Sequence, residues 1–281
     1  MTRTLVSAGL LVTLAAAAPA QTRPATSTRD IAPLVIGETF TIPSKRLGEV
    51  RRINVWAPPE YRDSAALRLP VLYMPDGGMA EDFLHVAGLL QVSIGNGTMR
   101  PFLLVGIENS ERRRDLTGPT QREDDKRIAP RVGGSAAFRE FLRAELMPRI
   151  NAQYRTTGET AIIGESLAGL FVVETLFEEP DLFDTYIAID PSLWWNDAVL
   201  VRGAPEWLRA HAALRKTLFL ASSGEPELAT LTERLATALR ENAPRGLTWH
   251  YRPMPEEGHA TIYHPAALQA VRLVLAPGAK R

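Results

Sequence analysis

The chain has 281 residues, and its 32 basic and 32 acidic side chains give a formal net charge of zero at pH 7. That balance provides no general attraction to nucleic acid or to an anionic membrane surface, so neither is expected as a partner. There is no cysteine, which excludes a disulfide framework and thiolate metal sites.

The N-terminal residues have the pattern of an export signal. Arg3 supplies a positive end, an apolar run covers residues 5–18, and Ala18-Pro19-Ala20 forms a small-x-small cleavage site. The run is shorter than the roughly 20 residues that a membrane-spanning helix needs. We therefore expect a signal peptide over 1–20, a flexible lead-in over 21–33 and one domain over 34–281, exported to the periplasm or secreted without membrane insertion.

Short β-type runs alternate with longer helical patterns from residue 69 onward. This alternation predicts an α/β fold, with a mostly parallel sheet and helices on both faces. The first two runs follow one another without a helix between them, so an antiparallel edge is expected there. The eight predicted strands are Leu34–Ile42, Val50–Ala57, Leu69–Met74, Phe102–Ile107, Ala161–Gly164, Thr185–Ile189, Thr217–Ala221 and Leu247–Arg252.

Two loops follow strands at the edge of the sheet where ligands bind in open α/β folds. After the third strand, Gly77 and Gly78 would let backbone N–H groups approach a substrate, although a plain Asp-Gly turn fits the same residues. After the fourth strand, the segment 108–132 is rich in charge and has no regular pattern. A solvated loop is the simpler interpretation of most of these charges, but long irregular loops are often functional.

The sequence Gly164-Glu165-Ser166-Leu167-Ala168-Gly169 stands between a β-type run and an apolar helical pattern. This is the layout of a nucleophile elbow, the tight strand–turn–helix that exposes a serine Oγ in α/β-hydrolases. The N–H of Leu167, at the start of the helix, could stabilise an oxyanion. A strand–helix turn with a capping serine is the alternative. The eight strands and the absence of a long insertion predict an α/β-hydrolase fold without a separate cap domain.

A nucleophilic serine needs a histidine base and an acid that orients it, in the chain order serine, acid, histidine. His259 lies in the loop after the eighth strand, where this fold carries its base, and His264 is the alternative. The acid is expected after the seventh strand, where Glu227 is favoured by its spacing and Glu225 is the alternative. Either glutamate could instead be a charge at a helix start.

Other chemistries find no support in the sequence. Motifs for zinc, dinucleotides and nucleotide phosphates are absent, so no metal and no cofactor is expected. The predicted partner is a small-molecule ester.

Several segments together resemble the putative-esterase (esterase D-like) family of α/β-hydrolases, and its exported branch that resembles siderophore esterases. The resemblance covers about residues 34–275 and rests on 69–77, 105–117, the elbow at 164–169, 180–196, and Gly258-His259. It implies Ser166 as nucleophile, His259 as base, and oxyanion donors at Leu167 and the loop of Gly77. The same superfamily includes feruloyl and carbohydrate esterases and acyltransferases, so ester chemistry is implied more firmly than substrate.

In that branch, an arginine in the loop after the fourth strand faces the substrate, and Arg112 matches it here. Trp194 and Trp195 could line the same cleft, although aromatic pairs more often serve packing. Two residues depart from the family pattern: Glu165 stands where histidine is common, and Asp190 where serine is common. A binding module on a hydrolase scaffold is the alternative to an enzyme, but it would not require Ser166 and His259.

Overall fold

The computed structural model of the protein describes residues 32–278. The chain divides into two units, 1–35 and 36–281, and the account below concerns the described residues of the second. The predicted export signal and its cleavage site lie outside the described residues. Among the helices between 32 and 278, none is both long and apolar enough to cross a membrane.

Eight strands in the described part of the chain form one sheet, in the order β1-β2-β4-β3-β5-β6-β7-β8. β2 is antiparallel to both of its neighbours, β1 and β4, and all other neighbouring pairs are parallel. The predicted antiparallel edge and mostly parallel sheet are confirmed. The strands are β1 (Glu38–Ser44), β2 (Glu49–Trp56), β3 (Leu69–Pro75), β4 (Leu103–Ile107), β5 (Thr156–Glu165), β6 (Thr185–Ile189), β7 (Thr217–Ser222) and β8 (Thr248–Pro253).

Helices connect the parallel strands, as the right-handed crossovers of such a sheet require. Between β4 and β5, α5, a π-helical turn (Leu142–Leu146) and α6 follow one another directly. The helices are α1 (Pro59–Asp63), α2 (Phe83–Gly95), α3 (Arg112–Asp115), α4 (Glu123–Arg127), α5 (Ser135–Phe141), α6 (Met147–Gln153), α7 (Leu167–Glu178), α8 (Trp195–Ala210), α9 (Pro226–Asn242) and α10 (Tyr263–Val274).

The sheet has a hydrophobic cluster on each of its faces, and β3 contributes to both. Val71 and Tyr73 join the cluster that contains α7, whereas Leu72 and Met74 join the cluster that contains α2 and α10. This is the period of two expected of a strand. Every residue of β3 is buried, as expected of a strand covered by helices on both faces.

The charged segment 108–132 is more ordered than its sequence indicates, because it contains α3 and α4. Arg51 of β2 and Asp115 of α3 form an ion pair in which both side chains are fully buried. Nε of Arg114 lies 2.7 Å from the same carboxylate, and Nη2 of Arg114 lies 2.8 Å from the carboxylate of Glu49 in β2. These pairs fasten α3 to the sheet and thereby fix the loop that follows β4.

Candidate active site

Ser166 occupies the turn between β5, which ends at Glu165, and α7, which begins at Leu167. Its backbone has φ 61° and ψ −122°, a region that residues other than glycine rarely adopt. Such a residue costs of order 1–3 kcal/mol and persists only where the surrounding structure fixes it. The strand–serine–helix turn predicted from the sequence is therefore present, with the strained backbone that the motif requires.

The small residues around the serine are explained by close backbone contacts. A Cβ at Gly164 would lie 2.6 Å from the carbonyl of Ala168, so strand and helix could not approach one another as they do. A Cβ at Gly169 would lie 2.9 Å from the carbonyl oxygen of Ile189. The turn is further fixed because the N–H of Ser166 donates to that same oxygen at 3.1 Å.

His259 links the serine to a buried carboxylate. Its Nε2 lies 3.0 Å from the Oγ of Ser166, and its Nδ1 lies 2.7 Å from Oδ2 of Asp190. In the neutral imidazole, Nδ1–H donates to Asp190 and Nε2 accepts the serine proton. Asp190 has no exposed surface, and its Oδ1 accepts the N–H of Ser223 at 2.7 Å. This arrangement can remove a proton from Ser166 and stabilise the imidazolium that results.

The carboxylate that contacts His259 is therefore Asp190, and neither predicted glutamate takes that place. Glu225 lies at the start of α9 and Glu227 in its first turn, and both line the same cleft as Ser166. Asp190 directly follows β6, which pairs with β5 and so ends beside the serine turn. The sequence carried a signal for it: a lone aspartate after a fully buried strand, in the chain order serine, acid, histidine.

The electrostatics of the site favour the protonated imidazole. The hydrogen bond to Asp190 raises the pKa of His259, and the charge of Glu165 also raises it. Partial burial of the ring acts in the opposite direction, but the pKa is raised overall. Oε1 of Glu165 lies 3.4 Å from Nε2 of His259. Burial in turn raises the pKa of the Glu165 carboxyl to about 7. The residue before the nucleophile is therefore part of the site.

An oxyanion needs backbone N–H groups that have no other acceptor, and two of the described residues near Ser166 offer one. Leu167 begins α7, so its N–H has no acceptor within the helix. The N–H groups of Gly77 and Gly78 are already engaged, by the carbonyl of Ile107 at 3.0 Å and the carboxylate of Glu81 at 2.7 Å. These contacts correct the prediction of either glycine as the second donor.

The residue before the glycines, Asp76, fits that role better. Asp76 directly follows β3, which pairs with β5, the strand that ends at Glu165 beside Ser166, and its backbone N–H is the candidate donor. Among the described residues, no acceptor contacts it.

Arg112 lines the cleft, as predicted, but its guanidinium is committed to Asp76. Nε and Nη2 donate to the two carboxylate oxygens of Asp76 at 2.7 and 2.8 Å, a bidentate pair. Asp76 itself has φ 57° and is buried, so the pair holds a strained residue in place. The side chain of Arg112 remains about one third exposed and can still face a ligand.

The two tryptophans have different surroundings. Trp194 lines the cleft together with Ser166 and His259. Trp195 is buried, and its Nε1–H donates to the carbonyl of Gly118 at 2.9 Å, so it packs beneath the charged loop and does not line the cleft. The cleft itself is open and has a volume of about 670 Å³.

The chain matches known proteins over most of its length. Residues 44–228 match the model of the family described as "Putative esterase". The chain is 30% identical over 203 residues to the ferri-bacillibactin esterase BesA of Bacillus subtilis, which covers 66% of this chain and 67% of that protein. It is 31% identical over 191 residues to the siderophore triacetylfusarinine C esterase of Aspergillus fumigatus, with 61% of each protein covered.

Solved structures match the same fold. The crystal structure of an IroE-like serine hydrolase from Shewanella oneidensis has a TM-score of 0.76 and 28% identity, over 85% of this chain and 80% of that one. The BES protein from Bacillus cereus has a TM-score of 0.78 at 21% identity, over 89% of this chain and 99% of that one.

Proposed function

Since the chain belongs to the "Putative esterase" family and is a carboxylic ester hydrolase, we propose that it is a serine esterase with the triad Ser166, His259 and Asp190. The observation that carries this proposal is the unbroken series of hydrogen bonds from Oγ of Ser166 through the imidazole to a fully buried carboxylate. The strained backbone of Ser166, at the start of a helix, supports the same role.

In the first half of the proposed reaction, Oγ of Ser166 attacks the ester carbonyl while Nε2 of His259 takes its proton. The carbonyl oxygen becomes negatively charged, and the N–H groups of Leu167 and Asp76 donate to it. The protonated Nε2 then returns its proton to the departing alkoxide, which leaves as an alcohol. The acyl group remains on Ser166 as an ester.

In the second half, water takes the place of the alcohol. Nε2 of His259 removes a proton from the water, which attacks the acyl carbonyl, and the same donors hold the oxyanion. Collapse of the tetrahedral intermediate returns the proton to Oγ of Ser166 and releases a carboxylic acid. Asp190 holds the imidazole in the required tautomer throughout.

The proposed substrates are siderophore-type esters, such as a catecholate trilactone. Two relatives support this choice, because they are named as esterases of ferri-bacillibactin and of triacetylfusarinine C. The open cleft suits a large ligand, and it is lined by Arg112, Arg113 and Trp194. Guanidinium groups bind carbonyl and catecholate oxygens well, and an indole offers a surface for an aromatic ring. Export remains part of the proposal and rests on the N-terminal sequence pattern.

Labelling with a fluorophosphonate probe tests the reaction class. The wild-type protein should become labelled at Ser166, and Ser166→Ala should lose both the label and the hydrolysis of a short p-nitrophenyl ester. An unlabelled but folded wild type, or an active Ser166→Ala variant, would overturn the serine mechanism and favour a binding module.

A hydrolysis screen tests the substrate class. A catecholate trilactone, a feruloyl sugar and an acetylated sugar should be compared by kcat/KM under one condition. We expect the trilactone to be preferred. Preference for either sugar ester would contradict the proposed substrate while leaving the mechanism intact, and products transferred to an added sugar would indicate an acyltransferase.

A further inference from the structure

The imidazole of His259 faces two oxygen atoms at once. Its Nε2 lies 3.0 Å from Oγ of Ser166 and 3.4 Å from Oε1 of Glu165. The proposed reaction uses the first contact and has no use for the second. Ligand-type atoms of Glu165, Asp190 and His259 all lie within 4.8 Å of one another.

The second contact has the dimensions of a metal site. Zn²⁺ binds imidazole nitrogen and carboxylate oxygen at about 2.0–2.2 Å in tetrahedral geometry, which separates two such ligands by about 3.4 Å. The distance between Nε2 of His259 and Oε1 of Glu165 is that value, without any movement of the side chains. His259 lines the cleft, so water there can complete the coordination of a cation bound to its Nε2.

The remaining ring nitrogen is already arranged as in metal centres. A histidine that binds a metal through one nitrogen usually donates its other N–H to a carboxylate, which fixes the tautomer and the orientation of the ring. Nδ1 of His259 makes that contact with Asp190 at 2.7 Å. The bond that orients the base for esterase chemistry therefore also places the Nδ1 proton where a metal-bound imidazole carries it.

We infer that His259 and Glu165 form a binding site for Zn²⁺ or a similar borderline-soft divalent cation, and that the bound cation inhibits the esterase. The inhibition rests on the proposed function, because a metal on Nε2 occupies the lone pair that would accept the proton of Ser166. The binding itself does not depend on the reaction.

The charges around the site permit a cation. Arg112, whose charge acts on Glu165, is neutralised by its bidentate pair with Asp76. Glu225 adds a negative charge close enough to act on His259. The mixed nitrogen and oxygen donors select against Mg²⁺ and Ca²⁺, which prefer oxygen ligands only. Zn²⁺ is the probe of choice, and Mg²⁺ is its control.

Calorimetry with the Ser166→Ala protein measures binding without any catalysis. That variant should bind Zn²⁺, because both proposed ligands remain, and it should not bind Mg²⁺ at the same concentration. Adding Glu165→Gln should weaken Zn²⁺ binding at least about tenfold, a loss known even for outer-shell partners of metal sites. Adding His259→Ala should weaken it by at least as much. Circular dichroism establishes that each variant is folded.

Glu225→Gln is the matched control, since it removes a cleft carboxylate that acts on His259 but lies outside the cluster of three. It should change Zn²⁺ affinity less than Glu165→Gln does. If Ser166→Ala bound Zn²⁺ equally well with and without Glu165→Gln, the inference would be overturned. It would also be overturned if Glu225→Gln weakened Zn²⁺ binding more than Glu165→Gln does.

The activity of the otherwise unaltered protein provides the second arm. Zn²⁺ should inhibit hydrolysis of a p-nitrophenyl ester, chelator should restore it, and Glu165→Gln should raise the inhibitory concentration at least about tenfold. Zn²⁺ that binds without inhibiting would contradict the regulatory part. If the protein hydrolyses no ester yet Ser166→Ala still binds Zn²⁺ through Glu165, the proposed function fails and the metal site stands.

Discussion

At Asp190, a single buried carboxylate accepts the Nδ1–H of His259 and the N–H of Ser223. Replacing it by asparagine keeps the shape but lets the imidazole adopt the tautomer that cannot accept the serine proton. Asp190→Asn should therefore lower kcat by roughly 10³–10⁴-fold in ester hydrolysis assays. Glu225→Gln and Glu227→Gln are the controls and should have small effects. If Glu227→Gln lost most of its kcat while Asp190→Asn stayed active, the acid of the triad would be Glu227 in α9.

Arg112 should influence the rate even of a substrate too small to reach its guanidinium. Its bidentate pair holds Asp76, whose N–H is the proposed second oxyanion donor. Arg112→Lys cannot reproduce that planar contact. We expect kcat for a p-nitrophenyl acetate to fall about 10- to 100-fold, as expected for a small misplacement of a catalytic group. A change in KM alone would instead identify Arg112 as a substrate contact only.

At the scale of elements, the ion pairs between β2 and α3 should be important for stability. Arg51 has no exposed surface and pairs with the equally buried Asp115. Arg51→Met removes one of the two arginines that pair with this carboxylate and leaves Arg114, so the loss should lie near the lower end of the about 3–5 kcal/mol that breaking a buried pair costs. Urea unfolding measures the loss. Arg52→Met, at the neighbouring half-exposed position, is the control and should stay within about 0.5 kcal/mol of the wild type.

Asp115→Asn, added to Arg51→Met, should recover part of the lost free energy of unfolding, because the buried group that lost Arg51 is then neutral and Arg114 keeps its pair with Glu49. If the double variant is no more stable than Arg51→Met, the destabilisation comes from lost packing of the arginine against Phe138 and not from the charge.

The same cluster makes the connection between β2 and α3 sensitive to acid. The carboxylate of Glu49 accepts a hydrogen bond from Arg114, which lowers the pKa of Glu49 from 4.5 to about 2. A carboxyl whose pKa is lower in the folded state stabilises the protein above the unfolded pKa, and this contribution is lost as pH falls through the folded pKa. Between about pH 4.5 and 2, Glu49→Gln should therefore show a shallower loss of unfolding free energy than wild type. Parallel curves would contradict this.

At the scale of the whole molecule, the sheet and the proposed site lie within residues 36–278. A chain that begins at Pro33 should therefore have the melting temperature and kcat of the longer chain. The control begins at Thr41, which removes three of the seven residues of β1 and the core contact of Ile36, and it should melt at a lower temperature. Equal destabilisation of both would indicate stabilising contacts from residues before Pro33.

Most of the sheet could be predicted because its central strands are continuous buried runs. β6 and β4 have nearly the predicted bounds, since burial on both faces leaves an unbroken apolar sequence. β5 begins at Thr156 and not at Ala161, because its first residues are polar and partly exposed and so resemble a loop. Contacts that cross the sequence, such as Arg51 with Asp115, leave no periodic pattern and were not predicted.

The candidate site was predictable where one short motif determines the geometry, and less so where distant loops meet. The turn around Ser166 and the loop of His259 are local features. The choice between Asp190 and Glu227 depends on which strand end lies beside the serine, which is a property of the assembled sheet. The assignment of the oxyanion donor likewise depends on which N–H groups already have an acceptor, and residue type alone does not reveal that.

The backbone of the serine turn has a consequence for how the enzyme should fail on heating. The N–H of Ser166 donates to the carbonyl of Ile189, and the carbonyl of Ser166 accepts from the N–H of Ser192 at 3.0 Å. The N–H of Asp190 donates to the carbonyl of Ala221 in β7 at 2.8 Å. Ser166 and Asp190 thus belong to the same network of backbone hydrogen bonds as the central strands. Loss of activity and loss of buried tryptophan fluorescence should then follow one melting curve, without an inactive folded stage.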